Sequence, residues 1–232
     1  MTVATRGGVE LAAAWRLLAL GFSTPTEETL EEVGALAGAL LDVHESPELD
    51  ALLQAVAETT PGDLGTQHAA LFRGTVRVAP YEGSYERDPI RQGRQMADVA
   101  AFYRAFGAEA HGPVPERPDF VGCELEFLSF LELRRLAAEE VGEDGREILD
   151  DIRDAFLADH AGRWLPAFFA EVVAAAEAAP MYWALASFGP AVITDELERH
   201  GLDRAALPQR SPTSSLDADL LECGTSETDV PL

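Results

Sequence analysis

The chain has 232 residues, of which 47% are hydrophobic, 8% aromatic and 25% charged, with 14 prolines. That length buries one substantial core, and the hydrophobic fraction excludes collagen-like, low-complexity and wholly disordered classes. The charge is the outlier: 41 acidic against 17 basic residues give a formal net charge of -24. Such a surface repels phosphate backbones and anionic headgroups, so no nucleic acid partner and no stable membrane insertion are expected. Every basic residue is Arg and none is Lys. Acidity, alanine richness and lack of Lys together fit a proteome adapted to high salt or high genomic G+C. Much of this charge is then a solvated face rather than a ligand site.

Taken in order, helix signals dominate. Leu11, Trp15, Leu18 and Phe22 recur at helical spacing, which predicts a helix over 9–21. Thr24-Pro25 with Glu27 reads as a capping box that opens a second helix at 25 and runs to 42. Ser46-Pro47 and Asp88-Pro89 repeat the device, opening helices over 47–59 and 89–106. Further helices are expected over 64–73, 119–141, 146–160, 164–178 and 181–199. Gly162 is expected to stop one of these, with Trp164-Leu165-Pro166 starting the next. Thr75-Val76-Arg77-Val78 alternates too briefly to anchor a sheet. The fold expected is all-α: a single-domain bundle of about nine helices over 1–206. From 207 to 232 the chain turns to Pro, Ser, Thr, Asp and Glu, and a disordered tail is expected there. The N-terminus has no signal-peptide pattern and no run is long enough to span a membrane, so the cytoplasm is the expected location.

Motifs for chemistry are mostly missing. No dinucleotide fingerprint, phosphate loop or nucleophile elbow is present. None of His44, His68, His111, His160 and His200 follows a Glu three positions earlier, so the paired di-iron signature is absent. Cys123 and Cys223 form neither a CxxC pair nor a zinc pattern. No catalytic residue, cofactor or metal is assigned.

Three segments nevertheless hold polar residues where a plain helix would not want them. In Arg117-Pro118-Asp119-Phe120-Val121-Gly122-Cys123-Glu124, Glu124 falls inside the apolar stripe of Phe120, Val121, Leu128 and Leu131. Glu126, Ser129 and Glu132 fall on other faces. A carboxylate so placed needs donors; it either bonds an Arg or a helix N-terminus within the fold or faces a ligand. His160 shares a face with Leu149, Ile152 and Phe156, as a core histidine would. Trp164, Phe168 and Phe169 are expected to pack the corner that follows. The loop Ala79-Pro80-Tyr81-Glu82-Gly83-Ser84-Tyr85-Glu86 carries two tyrosines and two carboxylates. Its rings either tuck against the bundle or offer contact area to a peptide.

In this order and spacing, the segments resemble the TorD/DmsD/NarJ family of molybdoenzyme maturation chaperones, over about residues 10–200. The loop at Pro80–Tyr85 matches, as does Phe102-Tyr103-Arg104-Ala105-Phe106-Gly107, which is similar to the family's FYxxxG ending. The Pro118-Asp119 helix entrance matches, as does Phe156-Leu157-Ala158-Asp159-His160 leading to Trp164-Leu165-Pro166. Where the family usually has His after Pro-Asp this chain has Phe120, so Asp119 carries over and the histidine's role does not.

The resemblance implies a non-enzymatic chaperone, monomer or homodimer. It would bind the twin-arginine leader, the apo catalytic subunit of a molybdenum-cofactor oxidoreductase, or both, assisting cofactor insertion and delaying Tat export. The peptide-binding residues so implied are Tyr81, Glu82, Ser84, Tyr85, Pro118, Asp119, Phe120 and Glu124, with His160 and Trp164 as additions. An acidic rim of Glu82, Glu86, Asp119 and Glu124 beside an aromatic groove would suit a leader's guanidinium groups and apolar stretch. Two alternatives stay open: a metal-dependent hydrolase built on Asp119, Glu124, Asp159 and His160, and a plain helical scaffold or regulatory subunit. The client is equally open among nitrate, dimethyl sulfoxide, trimethylamine oxide, chlorate, selenate and hydrocarbon-hydroxylating enzymes.

Overall fold

A computed structural model describes residues 7–108, 116–141 and 145–202. The tail expected from 207, together with His111 and Cys223, lies outside the described residues. Among these, the chain runs through nine α-helices: α1 (Gly8–Phe22), α2 (Thr29–Leu41), α3 (Pro47–Glu58), α4 (Pro61–Phe72), α5 (Pro89–Ala105), α6 (Val121–Val141), α7 (Arg146–Phe156), α8 (Gly162–Ala175) and α9 (Pro180–Arg199). A 3-10 turn at Glu82–Tyr85 and a π-helical turn at Leu157–Ala161 complete the set. The described residues contain no strand, only an isolated antiparallel bridge between Tyr81 and Phe120.

α1 and α9 form the axis of the bundle. Leu11, Ala14, Trp15, Leu17, Leu18 and Phe22 bury α1 on nearly every side, which marks a helix enclosed by others rather than one lying on a surface. α6 packs along its length, and α2 and α9 cover it elsewhere. Ser129 lies inside this contact, its hydroxyl donating to the Ala12 carbonyl at 2.9 Å. Ser129 and Glu132, on other faces of α6 than the Glu124 stripe, are buried as well, because α6 has neighbours on more than one side. Glu126 is exposed and pairs with Arg16. Close approach at two crossings requires glycine: a Cβ at Gly21 would lie 2.4 Å from Leu185, and one at Gly189 would lie 2.5 Å from Phe169.

The caps divide. Ser46 accepts from the Leu49 amide and Asp88 from the Ile90 amide, as their Pro-led starts predict. Thr24-Pro25 opens no helix: α2 begins at Thr29, whose hydroxyl accepts from the Thr26 amide at 2.8 Å. Thr24 is drawn away instead, its hydroxyl accepting from Arg73 at 2.9 Å. Thr60-Pro61 is a further start of the same kind, with Thr60 accepting from the Asp63 amide, so α4 begins at 61 rather than 64.

The expected stop at Gly162 is absent. α7 passes through the π turn directly into α8, and the Gly162 amide bonds the Leu157 carbonyl five residues back. Pro166 cannot donate back to Gly162, and its ring would crowd that carbonyl in a regular helix. The wider turn lies directly before this point, and His160 sits within it. Such single π turns recur at functional positions.

Candidate functional site

The tyrosine turn and the Pro-Asp helix entrance meet. The Glu82 amide donates to the Asp119 carbonyl, and the Val121 amide to the Pro80 carbonyl, both at 2.9 Å. This is the pair of bonds that makes the Tyr81–Phe120 bridge. The Asp119 carboxylate adds a third tie, accepting from the Gly83 amide at 3.1 Å and from Arg117 Nε and Nη2 at 2.9 and 2.8 Å. A Cβ at Gly83 would stand 3.0 Å from that carboxylate, so a side chain there would press on the clamp. Tyr103 of α5 donates to the Pro118 carbonyl at 2.8 Å, and burial holds its phenol well above its ordinary pKa.

Each remaining polar residue has its own partner. His160 stands between two carboxylates, with Nδ1 3.1 Å from Glu82 and Nε2 3.3 Å from Asp98 of α5. Its ring packs against Phe102 and Phe156. Trp164 Nε1 donates to Glu124 Oε2 at 2.9 Å. An indole is thus one of the donors that the buried Glu124 finds within the fold. Tyr85 donates to Glu171 at 2.8 Å, and its ring packs at a tilt against Trp164 with centroids 5.2 Å apart. Burial raises the pKa of both Tyr85 and Glu171.

The acidic rim is not where sequence reasoning puts it. Glu82, Asp119 and Glu124 are fully buried, because the turn folds them inward onto His160, Arg117 and Trp164. Tyr85 is tucked in as well, at 2% exposure. Glu86 remains partly exposed but accepts from the Asp88 amide at the start of α5. What faces outward is Tyr81, Ser84 and Pro118, all half-buried. The hydrolase alternative needs Asp119, Glu124, Asp159 and His160 to converge. Asp119, Glu124 and His160 instead face different partners, and no group of three or more His, Cys, Asp or Glu among the described residues could hold a metal ion. No described helix is long and apolar enough to cross a membrane.

Beside the joined segments opens a cleft of about 180 Å³, lined by Thr24, His68, Phe72, Arg73, Pro80, Tyr81, Glu116 and Phe120. Tyr81 forms one wall. Its ring lies 5.7 Å from Phe120, its hydroxyl donates to Glu116 at 3.2 Å, and the Arg117 guanidinium covers it at 4.5 Å. Burial first, then Glu116, raises the Tyr81 pKa. Sequence reasoning missed His68, Phe72, Arg73 and Glu116 here. One signal was available: His68 follows Leu64 by four residues, on the apolar stripe that continues to Leu71.

The profile of the nitrate reductase delta subunit family matches residues 39–170, a stretch that contains the turn, the Pro-Asp entrance, His160 and Trp164. A selenate reductase assembly chaperone protein of Thauera selenatis is 33% identical over 152 residues, covering 64% of this chain and 72% of its own length. A chlorate reductase assembly chaperone protein of Ideonella dechloratans is 33% identical over 108 residues, covering 45% and 55% respectively. The crystal structure of a candidate redox enzyme maturation protein from Archaeoglobus fulgidus has a TM-score of 0.50 and 24% identity, with 81% of this chain and 93% of that one covered. At that identity the likeness speaks to the all-helical fold alone.

Proposed function

The chain belongs to the nitrate reductase delta subunit family, and from that membership we propose that it is an assembly chaperone, not an enzyme, for the catalytic subunit of a molybdenum-cofactor oxidoreductase. It receives the subunit's twin-arginine leader on the surface formed by Tyr81, Ser84 and Pro118, beside the cleft that Phe120 lines. There it holds the apo subunit in the cytoplasm through cofactor insertion and delays its export. The names of the two curated relatives support an oxyanion reductase as client.

One observation carries the reading: the bridge between Tyr81 and Phe120 turns two distant segments into a single surface with a cleft at its edge. A pre-formed cleft that sets aromatic rings beside polar side chains suits a peptide, whose side chains anchor while the pocket walls exclude water. The burial of Glu82, Asp119 and Glu124 gives these residues a supporting part, shaping the surface that Tyr81, Ser84 and Pro118 present.

The test is titration of the full chain with a synthetic leader from a molybdenum reductase subunit of the same source. Micromolar or tighter binding is expected, weakened at least tenfold by Tyr81→Ala. Co-purification of the apo subunit provides the second readout. A plain scaffold would bind no leader, and its deletion would leave reductase maturation unchanged.

A further inference from the structure

His68 and Phe72 lie on α4 and Arg73 directly follows it, and all three line the cleft. The ring is only 5% exposed, and its Nε2 has no hydrogen-bond partner. Burial, reinforced by the charge of Arg73, lowers its pKa to about 4, so the imidazole is neutral at neutral pH. Tyr182 packs behind it with ring centroids 6.2 Å apart, and the Tyr182 hydroxyl is likewise buried without a partner. Buried polar groups are nearly always hydrogen-bonded. Of the two, His68 lines the cleft and Tyr182 lies behind it, so the unused capacity of His68 is a departure that a ligand in the cleft would resolve.

The cleft is too small for a typical organic cofactor, whose pockets run to about 300–1,000 Å³, and is of the size for one side chain. Phe72, Pro80, Tyr81 and Phe120 give it apolar surface, set among the polar groups of Thr24, His68, Arg73 and Glu116. Its charges are Arg73, which donates to Thr24, and Glu116, which accepts from Tyr81, with Arg117 lying over the Tyr81 ring. A cation entering would meet two guanidiniums against one carboxylate already engaged, and would lose its hydration as well. We propose that this cleft takes a single uncharged side chain of the client peptide, with an apolar body and a hydroxyl or amide tip, and that His68 selects it. The arginine pair of a leader then lies outside the cleft. This inference rests on the reading of the Tyr81–Phe120 surface as a peptide site.

Side-chain analogues test it on the full chain, with His68 ring resonances followed by NMR. p-Cresol is expected to shift these resonances and to bind at least fivefold tighter than toluene. n-Propylguanidinium and propionate are expected to leave them in place. In His68→Leu the preference for p-cresol over toluene disappears while toluene binding persists; His68→Gln, which keeps a donor and an acceptor, retains part of the preference. Equal binding of toluene and p-cresol to the wild-type chain, tighter binding of either charged analogue, or no response at His68 would overturn the inference, whether or not the variants fold. Leader titration separates the two readings. A leader that binds without any p-cresol preference sinks the subsite alone, and p-cresol at His68 with no leader binding sinks the client reading alone.

Discussion

Asp119 holds Gly83: a carboxylate at the mouth of α6 accepts the amide of a glycine 36 residues earlier, at 3.1 Å. The same carboxylate takes two bonds from Arg117, so its charge is offset on one side while the other positions backbone. The tyrosine turn has little secondary structure of its own to fix it. Its shape is set by this clamp, by the bridge to Phe120 and by the His160 contact with Glu82.

Asp119→Ala is therefore expected to loosen the turn without unfolding the bundle. The Gly83 amide, buried against the carboxylate, loses its acceptor, at a cost of about 1–3 kcal/mol. Arg117 is half exposed and adds little, since water replaces its partner. Asp119→Asn keeps an acceptor for Gly83 and should lose less than half as much. Urea denaturation of both variants measures the difference, and an alanine variant as stable as the wild type would contradict the clamp.

Much of this architecture was legible beforehand, and the exceptions share a cause. Helix starts at Ser46 and Asp88 could be read because a cap and its proline are local. Thr24 failed because Arg73, 49 residues away, takes its hydroxyl. The continuous α7–α8 passage was hidden because glycine and proline ordinarily break helices, and only packing keeps the π turn in place. At the site, Glu124 and His160 could be picked out as polar residues on apolar faces, Asp119 as a cap after Pro118, and Tyr81 as an aromatic on a loop. Their partners could not: Gly83, Trp164 and Asp98 are reached through the tertiary fold. Helical spacing set Ser129 and Glu132 on other faces than Glu124 but says nothing of how many helices surround α6, so their burial could not be read from it.

Trp164→Phe tests one of those partners. The ring stays aromatic but is smaller, so a cavity adds to the loss of the indole donor that Glu124 accepts from at 2.9 Å. Removing a donor from a buried carboxylate is expected to cost about 1–3 kcal/mol. Glu124→Gln keeps an oxygen for the indole and should be milder. A double-mutant cycle of Trp164→Phe with Glu124→Leu, which removes the acceptor, reads the coupling directly, and additivity of those two substitutions would show that the bond contributes nothing.

The His160 ring connects the turn to α5. Among α5 residues only Val99 is fully buried, so the helix depends on Asp98, Phe102 and Tyr103 for its seat. His160→Leu removes the contacts to both Glu82 and Asp98 and should speed amide exchange across 82–102 about tenfold, leaving α1 and α9 unchanged. Asp98→Ala, at an exposed position, should give a smaller change confined to α5. Exchange rising uniformly over the whole chain would instead mean that His160 serves only global stability.

At the far end of the bundle, Glu196 is buried on α9 beside Arg199, its carboxylate accepting at 2.5 Å. Burial outweighs the attraction of Arg199 and Arg153 and raises its pKa from 4.5 to about 7. Between these values the unfolded chain has released the proton that the folded chain still holds. Folding therefore takes up a proton there, and this group's contribution to stability falls as pH rises from 4.5 to 7, then levels off. Glu196→Gln does not titrate, so relative to wild type it should gain stability over the same window, by at most about 3 kcal/mol. Tm measured at pH 4.5, 6 and 8 for both proteins tests the sign. A gap that stays constant, or that narrows in favour of wild type as pH rises, would show that Arg199 and Arg153 hold the carboxylate ionised.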